Sequence, residues 1–129
     1  MQFSLELISK IEKAIQNHQF DVIEQHFDQI NDADIAKLLS DLSLSEQVTL
    51  VEHLPNAAYI LEFLSLDQQL KIAEHLPKQN LIQVLSQMHS DDQTDLFKYL
   101  PYSLQQSIYT ELSPEIQQQI QHLQAEATG

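Results

Sequence analysis

Three aspartates, Asp91, Asp92 and Asp95, fall within five positions of the sequence. Carboxylate oxygens are hard ligands that suit Mg²⁺, which proteins usually hold through one or two carboxylates while the ion keeps several waters. On a helix, Asp91 and Asp95 share one face, where two like charges repel by roughly 0.2–0.5 kcal/mol. A divalent cation would reverse that cost. The spacing therefore suggests a cation site whose remaining ligands come from elsewhere.

Two of these aspartates also have a purely structural interpretation. Acidic residues in the first turn of a helix stabilise it by capping or through the helix dipole, and Asp91 and Asp92 fit such positions. The next two positions are harder to explain in this way. Aligned with the equivalent helices of the chain, Thr94 replaces an apolar residue and Asp95 replaces Thr49 and Lys71.

No other motif of the sequence indicates catalysis. Cysteine is absent and glycine occurs once, which excludes thiol nucleophiles, Cys-based zinc sites and glycine-rich phosphate loops. His53 and His75 occupy equivalent positions in two copies of EHLP, which indicates a structural role near a helix C-terminus. The remaining histidines show no metal-ligand spacing; they are His18, His26, His89 and His122. We therefore predict no catalytic residues, no cofactor-binding residues and no enzyme activity.

The elements that carry these residues recur along the chain. Apolar anchors repeat at steps of 10 to 12 positions; they are Leu42, Leu54, Leu64, Leu76, Met88, Leu100, Leu112 and Leu123. From Leu42 to Leu112 the residue after the anchor alternates between Ser or His and Pro, which gives a two-step unit seen as EHLP, EHLP and KYLP. Such short units must stack on their neighbours to be stable, so the sequence predicts an all-α superhelix of short antiparallel helices.

Helix boundaries can be predicted within each half-unit. Ser43 with Glu46, and Ser65 with Gln68, have the spacing of capping boxes. Leu-Pro pairs end one helix and open the next, and Pro114 follows Ser113 at a first helical position. The glutamine-rich run at 115–124 is interpreted as a solvated helix face.

Two further helices are predicted ahead of the repeat, over residues 1–30. The first carries Leu5, Ile8, Ile11 and Ile15 on one face. The second starts with an Asp21-x-x-Glu24 box and carries Val22, Ile23, Phe27 and Ile30. Asn31 then caps the first helix of the half-repeats, which occupy 31–123. No linker interrupts this pattern, so we expect a single domain over 1–129.

Charge narrows the range of partners. The chain has 19 acidic and 6 basic residues and a formal net charge of −13. Nucleic acids and anionic lipid surfaces would be repelled, whereas cations and basic protein surfaces are favoured. No apolar run has the roughly 20 residues needed to span a bilayer, so direct membrane insertion is not expected and the chain on its own is predicted to be soluble.

The alternating half-repeats, SDDQTD and the ending LSPEIQQQIQHLQAEATG together resemble the N-terminal cytosolic domain of MgtE-type magnesium transporters. The resemblance covers nearly the whole chain. It implies an armadillo-like, right-handed superhelix and identifies 124–129 as the start of a linker to a pair of CBS domains, which with the transmembrane domain would be missing here. The expected location is the cytoplasmic side of the bacterial inner membrane, as part of a homodimeric membrane protein.

The resemblance also implies a function and a ligand set. In that family the domain senses cytosolic Mg²⁺, which bridges its acidic face to the CBS domains and closes the pore. The family's Asp-Asp-x-x-Asp stretch matches Asp91, Asp92 and Asp95, which are the expected metal contacts. Where the family has an earlier acid this chain has Tyr59, and Glu62 is a possible substitute. The alternative is a protein interaction module without a metal role, similar to the middle domain of the flagellar switch protein FliG.

Overall fold

The chain folds into short α-helices joined by tight turns. The computed structural model describes residues 5–128, with side chains from 5 to 122, and this part contains ten helices and no strand. The helices are α1 (Leu5–Gln16), α2 (Phe20–Phe27), α3 (Asp32–Ser40), α4 (Leu44–His53), α5 (Ala57–Leu61), α6 (Leu66–His75), α7 (Lys78–Gln87), α8 (Ser90–Tyr99), α9 (Tyr102–Tyr109) and α10 (Pro114–Thr128). The predicted all-α helical repeat is confirmed.

The helices form two compact units. The first, Met1–Leu64, holds α1 to α5, in which α1 packs on α2 and α4, and α5 packs on α3 and α4. The second, Ser65–Gly129, holds α6 to α10, in which α8 packs on α6, α7 and α10. The expectation of a single domain over 1–129 stays a prediction.

The predicted anchors supply the core of each unit. In the first unit Leu42, Leu54 and Leu64 are buried, and in the second unit so are Leu76, Met88, Leu100 and Leu112. The side chain of Leu123 lies outside the described residues. Burying such a side chain contributes about 1.5–3 kcal/mol, which exceeds the stability of any one short helix alone. The anchors therefore hold the repeat together through packing.

Most predicted helix boundaries are confirmed. The capping boxes at Ser43 and Ser65 are both formed, and the side chain of Asn31 accepts from the backbone N–H of Asp34 at 2.9 Å. Pro77 and Pro101 directly precede α7 and α9, and α10 begins at Pro114. Proline suits these positions because the first N–H groups of a helix have no partner within it.

The leading helices depart from the prediction in two places. The box at Asp21 is wrong, because α2 already begins at Phe20 and its N-cap, Gln19, makes no side-chain capping bond. Phe20 stacks on His53 of α4 with ring centroids 3.7 Å apart, a tertiary contact that the local pattern does not reveal. Leu5 is 85% exposed, because the buried part of α1 is its second half, from Ile11 to Ile15.

A left-handed residue closes α1. His18 has φ 55°; its N–H donates to the carbonyl of Ile15 at 3.1 Å, and that of Gln19 donates to Ala14 at 2.8 Å. This is the Schellman arrangement, with histidine at the position where glycine is usual. It lets the chain reverse directly into α2.

Within the described residues, no helix is long and apolar enough to cross a membrane.

Candidate functional site

The rotation of α8 about its axis decides which of its side chains face outward. Four residues of α8 are buried and form its inner face: Gln93, Thr94, Leu96 and Phe97. With that face fixed against α6, α7 and α10, Asp91 and Asp95 lie on the exposed side, one turn apart. Asp92 is half-buried. Core packing therefore presents the Asp91 and Asp95 carboxylates together to solvent.

The structure does not gather all three aspartates at one point. The carboxylate oxygens of Asp91, Asp92 and Asp95 do not all lie within 4.8 Å of one another. Glu62 is the C-cap residue of α5 and belongs to the first unit, whereas the three aspartates belong to the second. Of the predicted ligands, Asp91 and Asp95 are therefore the two that lie together on one exposed helix face. The full set stays a prediction.

Equivalent positions in the neighbouring repeats show what is unusual about this pair. In α4 the positions hold Ser45 and Thr49, and the Thr49 hydroxyl donates to the Ser45 carbonyl at 3.0 Å. In α6 they hold Asp67 and Lys71, which form an ion pair at 3.6 Å. In α8 both positions are acidic. The same i, i+4 contact is therefore neutral in α4, attractive in α6 and repulsive in α8.

The other departure in α8, Thr94, has a structural explanation. Thr94 is 7% exposed, and its hydroxyl donates to the carbonyl of Ser90 at 2.8 Å. A buried hydroxyl costs little when it is hydrogen-bonded within its own helix. Thr94 thus fills a core position without a metal role, and Asp95 is the change in α8 that packing does not account for.

The two repeated histidines act structurally, as predicted. His53 and His75 end α4 and α6, and each ring Nδ1 lies 2.8 Å from a carbonyl oxygen one turn earlier, that of Thr49 or Lys71. Because a carbonyl can only accept, Nδ1 must carry the proton in both rings. Each histidine ring thereby bonds back onto the last turn of its own helix.

Glutamine has a repeated role that the sequence motifs above do not predict. In four half-repeats a glutamine Nε2 donates to a carbonyl eight residues earlier, at the end of the preceding helix; the pairs are Gln47 to Leu39 at 2.7 Å, Gln93 to Leu85 at 2.7 Å, Gln105 to Phe97 at 2.7 Å, and Gln117 to Tyr109 at 2.9 Å. Each of these carbonyls also accepts the backbone N–H three residues later, so the glutamine amide supplies a second donor and joins consecutive helices. The spacing of 12 between Gln93, Gln105 and Gln117 was the available signal.

The short capped helices, the buried anchors and the exposed acidic pair define an acidic helical-repeat domain. The model of the MgtE intracellular N domain family matches residues 30–125. The chain belongs to this family, whose members are regulatory N-terminal domains of magnesium transporters rather than catalytic domains. None of the curated proteins matches the chain.

Proposed function

We propose that the chain senses Mg²⁺ for a magnesium transporter, and that Asp91 and Asp95 contact the ion. The observation that carries the proposal is the pair of like charges on the exposed face of α8, in a domain of the MgtE intracellular N family. Two carboxylates one turn apart suit an ion that keeps most of its waters. Asp92 and Glu62 are further candidate contacts.

The proposed mechanism is a cation-dependent interface. Mg²⁺ on the α8 face would bridge it to carboxylates of CBS domains in the same polypeptide, within a homodimer on the cytoplasmic side of the bacterial inner membrane. With 19 acidic against 6 basic residues, this surface repels another acidic surface when Mg²⁺ is scarce. Coupling to the pore requires Mg²⁺ to bind the closed arrangement more tightly than the open one.

A Mg²⁺ titration followed by NMR tests the contact. We expect saturable shifts of the backbone amides of α8 around Ser90–Leu96, and we expect the double change Asp91→Asn, Asp95→Asn to remove them. Asp67→Asn is the matched control, because Asp67 occupies the position of Asp91 in α6 but is paired with Lys71 at 3.6 Å. The control should leave the α8 shifts unchanged.

Equal shifts in the double variant and in the unchanged chain would contradict the proposal, because the ion would then only screen the surface as a whole. The same titration separates the alternative function. A protein interaction module of the FliG type with no metal role predicts no saturable response at Asp91 and Asp95.

A further inference from the structure

A pocket in the second unit is lined by aromatic and amide side chains. It lies between the end of α8, the helix α9 and the middle of α10, and has a volume of about 410 Å³. The side chains that line it include Phe97, Tyr102, Gln105, Gln106, Tyr109 and Gln121. No charged residue lines it among the described residues, although the chain carries 19 acidic and 6 basic residues. Because a charge buried without a partner is costly, the pocket is suited to an uncharged ligand.

The two tyrosines of the pocket form a ridge along α9. Tyr102 and Tyr109 are seven positions apart, so they lie on the same face of the helix, two turns apart. Their backbone positions are separated by about 10.5 Å along the helix axis. Gln105 and Gln106 lie between them. Tyr102 is 72% exposed, so its ring can be reached from solvent.

Hydrogen bonds hold both rings in place before any ligand binds. The Tyr109 hydroxyl accepts from Gln121 Nε2 at 2.6 Å and donates to the carbonyl of Gln117 at 3.4 Å. The ring of Phe97 packs behind it, with ring centroids 6.0 Å apart. The Tyr102 hydroxyl accepts from Gln106 Nε2 at 2.8 Å, which leaves its own O–H able to donate. The pocket therefore offers two fixed rings and one O–H donor.

A polyproline II helix matches this arrangement. It rises about 3.1 Å per residue and repeats every three residues, so prolines three positions apart lie on one side at a spacing of about 9.3 Å. That spacing is close to the separation of the two tyrosines along α9. Its carbonyls have no internal hydrogen bonds and can accept from the Tyr102 hydroxyl, whereas those of an α-helix are already bonded. Aromatic-lined grooves bind proline-rich segments in other proteins for these reasons.

We propose that this pocket binds a proline-rich segment of a partner protein, with prolines three positions apart on the rings of Tyr102 and Tyr109. The uncharged lining matches uncharged proline, and the net charge of −13 disfavours an acidic segment. The proposal goes beyond the magnesium-sensing function and does not depend on it, because none of the candidate magnesium contacts lines the pocket.

The probe is an acetylated and amidated deca-proline peptide, titrated into the ¹⁵N-labelled chain. We expect saturable shifts of the Tyr102 and Tyr109 amides and of the Gln106 side-chain NH₂ group. A blocked glycine–serine peptide of equal length has no rings and should give no saturable shift. Tyr102→Ala should weaken deca-proline binding about fivefold, as expected for the loss of one ring contact. Tyr99→Ala is the matched control, because Tyr99 is 55% exposed but lies outside the pocket, and it should change binding less than about twofold.

Four results would overturn the proposal. The first three are no saturable shift at Tyr102 or Tyr109, equal binding of the two peptides, and equal weakening by Tyr102→Ala and Tyr99→Ala. The fourth is a shift of the same amides when the chain is concentrated without peptide, because a second copy of the chain would then occupy the pocket. Thermal unfolding of Tyr102→Ala checks that the variant is folded, and the comparison of the two peptides needs no variant.

Discussion

At the scale of single residues, the contrast between α6 and α8 gives a direct test of the acidic pair. Asp95→Lys recreates in α8 the Asp67–Lys71 pair of α6, whose charged groups lie 3.6 Å apart. We expect a gain of about 0.5 kcal/mol in the free energy of unfolding, because a repulsive i, i+4 contact becomes attractive. Urea unfolding in low salt measures it.

The control for this prediction is the double change Asp91→Asn, Asp95→Lys. It keeps the new lysine but removes the carboxylate that lysine would pair with. If the double variant gains as much stability as Asp95→Lys alone, helix propensity and not the charge pair is responsible. The lysine should in either case abolish the proposed Mg²⁺ response at α8, since it places a positive charge on the metal face.

A second residue-scale prediction concerns Glu12 of α1, which packs on α4. A side-chain hydrogen bond to Glu46 and the charge of that group raise the pKa of Glu12 above its ordinary value of 4.5. The folded state therefore binds more protons than the unfolded state between the ordinary and the raised pKa. Stability falls as the pH rises through this window, and the loss remains above it.

Glu12→Gln should remove this pH dependence, because glutamine keeps a donor for Glu46 and cannot ionise. Urea midpoints at pH 4 and pH 7 measure the effect: the variant and the unchanged chain should be similar at pH 4, and the variant more stable at pH 7. Glu6→Gln on the same helix is the control. Glu6 pairs with Lys10 at 3.7 Å, so its loss should give no gain at pH 7. A gain in both variants would contradict the assignment to Glu46.

At the scale of elements, the glutamines that link consecutive helices can be tested at Gln117. Its Nε2 donates to the carbonyls of Tyr109 at 2.9 Å and Leu112 at 3.0 Å. Gln117→Leu keeps a similar volume but leaves both carbonyls without this donor, so we expect a loss of about 1 kcal/mol in the free energy of unfolding. Gln118→Leu, at an exposed neighbouring position, should change stability by less than about 0.5 kcal/mol. If Gln117→Leu and Gln118→Leu lower the free energy of unfolding equally, the loss comes from replacing a polar residue of α10 and not from the hydrogen bonds of Gln117.

The same glutamines show where prediction from sequence succeeded and where it could not. Anchors, caps and Leu-Pro boundaries are local signals, and the structure confirms most of them from Asn31 to Pro114. The exception is Pro55, since α5 begins only at Ala57, after the N-cap Asn56. The glutamine bonds span eight residues and two helices, so propensity and periodicity do not report them. The start of α2 at Phe20 was also missed; Phe20 stacks on His53, a contact between residues far apart in the sequence. The positions of Asp91 and Asp95 on one helix face followed from spacing alone.

At the scale of the whole molecule, a net charge of −13 in 129 residues means that the folded chain repels itself. Screening should relieve this repulsion, because the Debye length falls from about 30 Å at 0.01 M to about 10 Å at 0.1 M ionic strength. We therefore expect the Tm to rise when NaCl is added to a low-salt buffer. This rise is a property of the total charge and requires no site.

Mg²⁺ separates screening from binding when the two salts are compared at equal ionic strength. If Asp91 and Asp95 contact the ion, MgCl₂ should raise the Tm further than NaCl, since a ligand that binds only the folded state stabilises it by mass action. In the double variant Asp91→Asn, Asp95→Asn this extra rise should vanish, while the rise with NaCl persists because 17 of the 19 acidic residues remain. If the extra rise in Tm with MgCl₂ is the same in both chains, Mg²⁺ stabilises the fold through the acidic surface in general. The pair Asp91 and Asp95 would then only destabilise its own helix by charge repulsion.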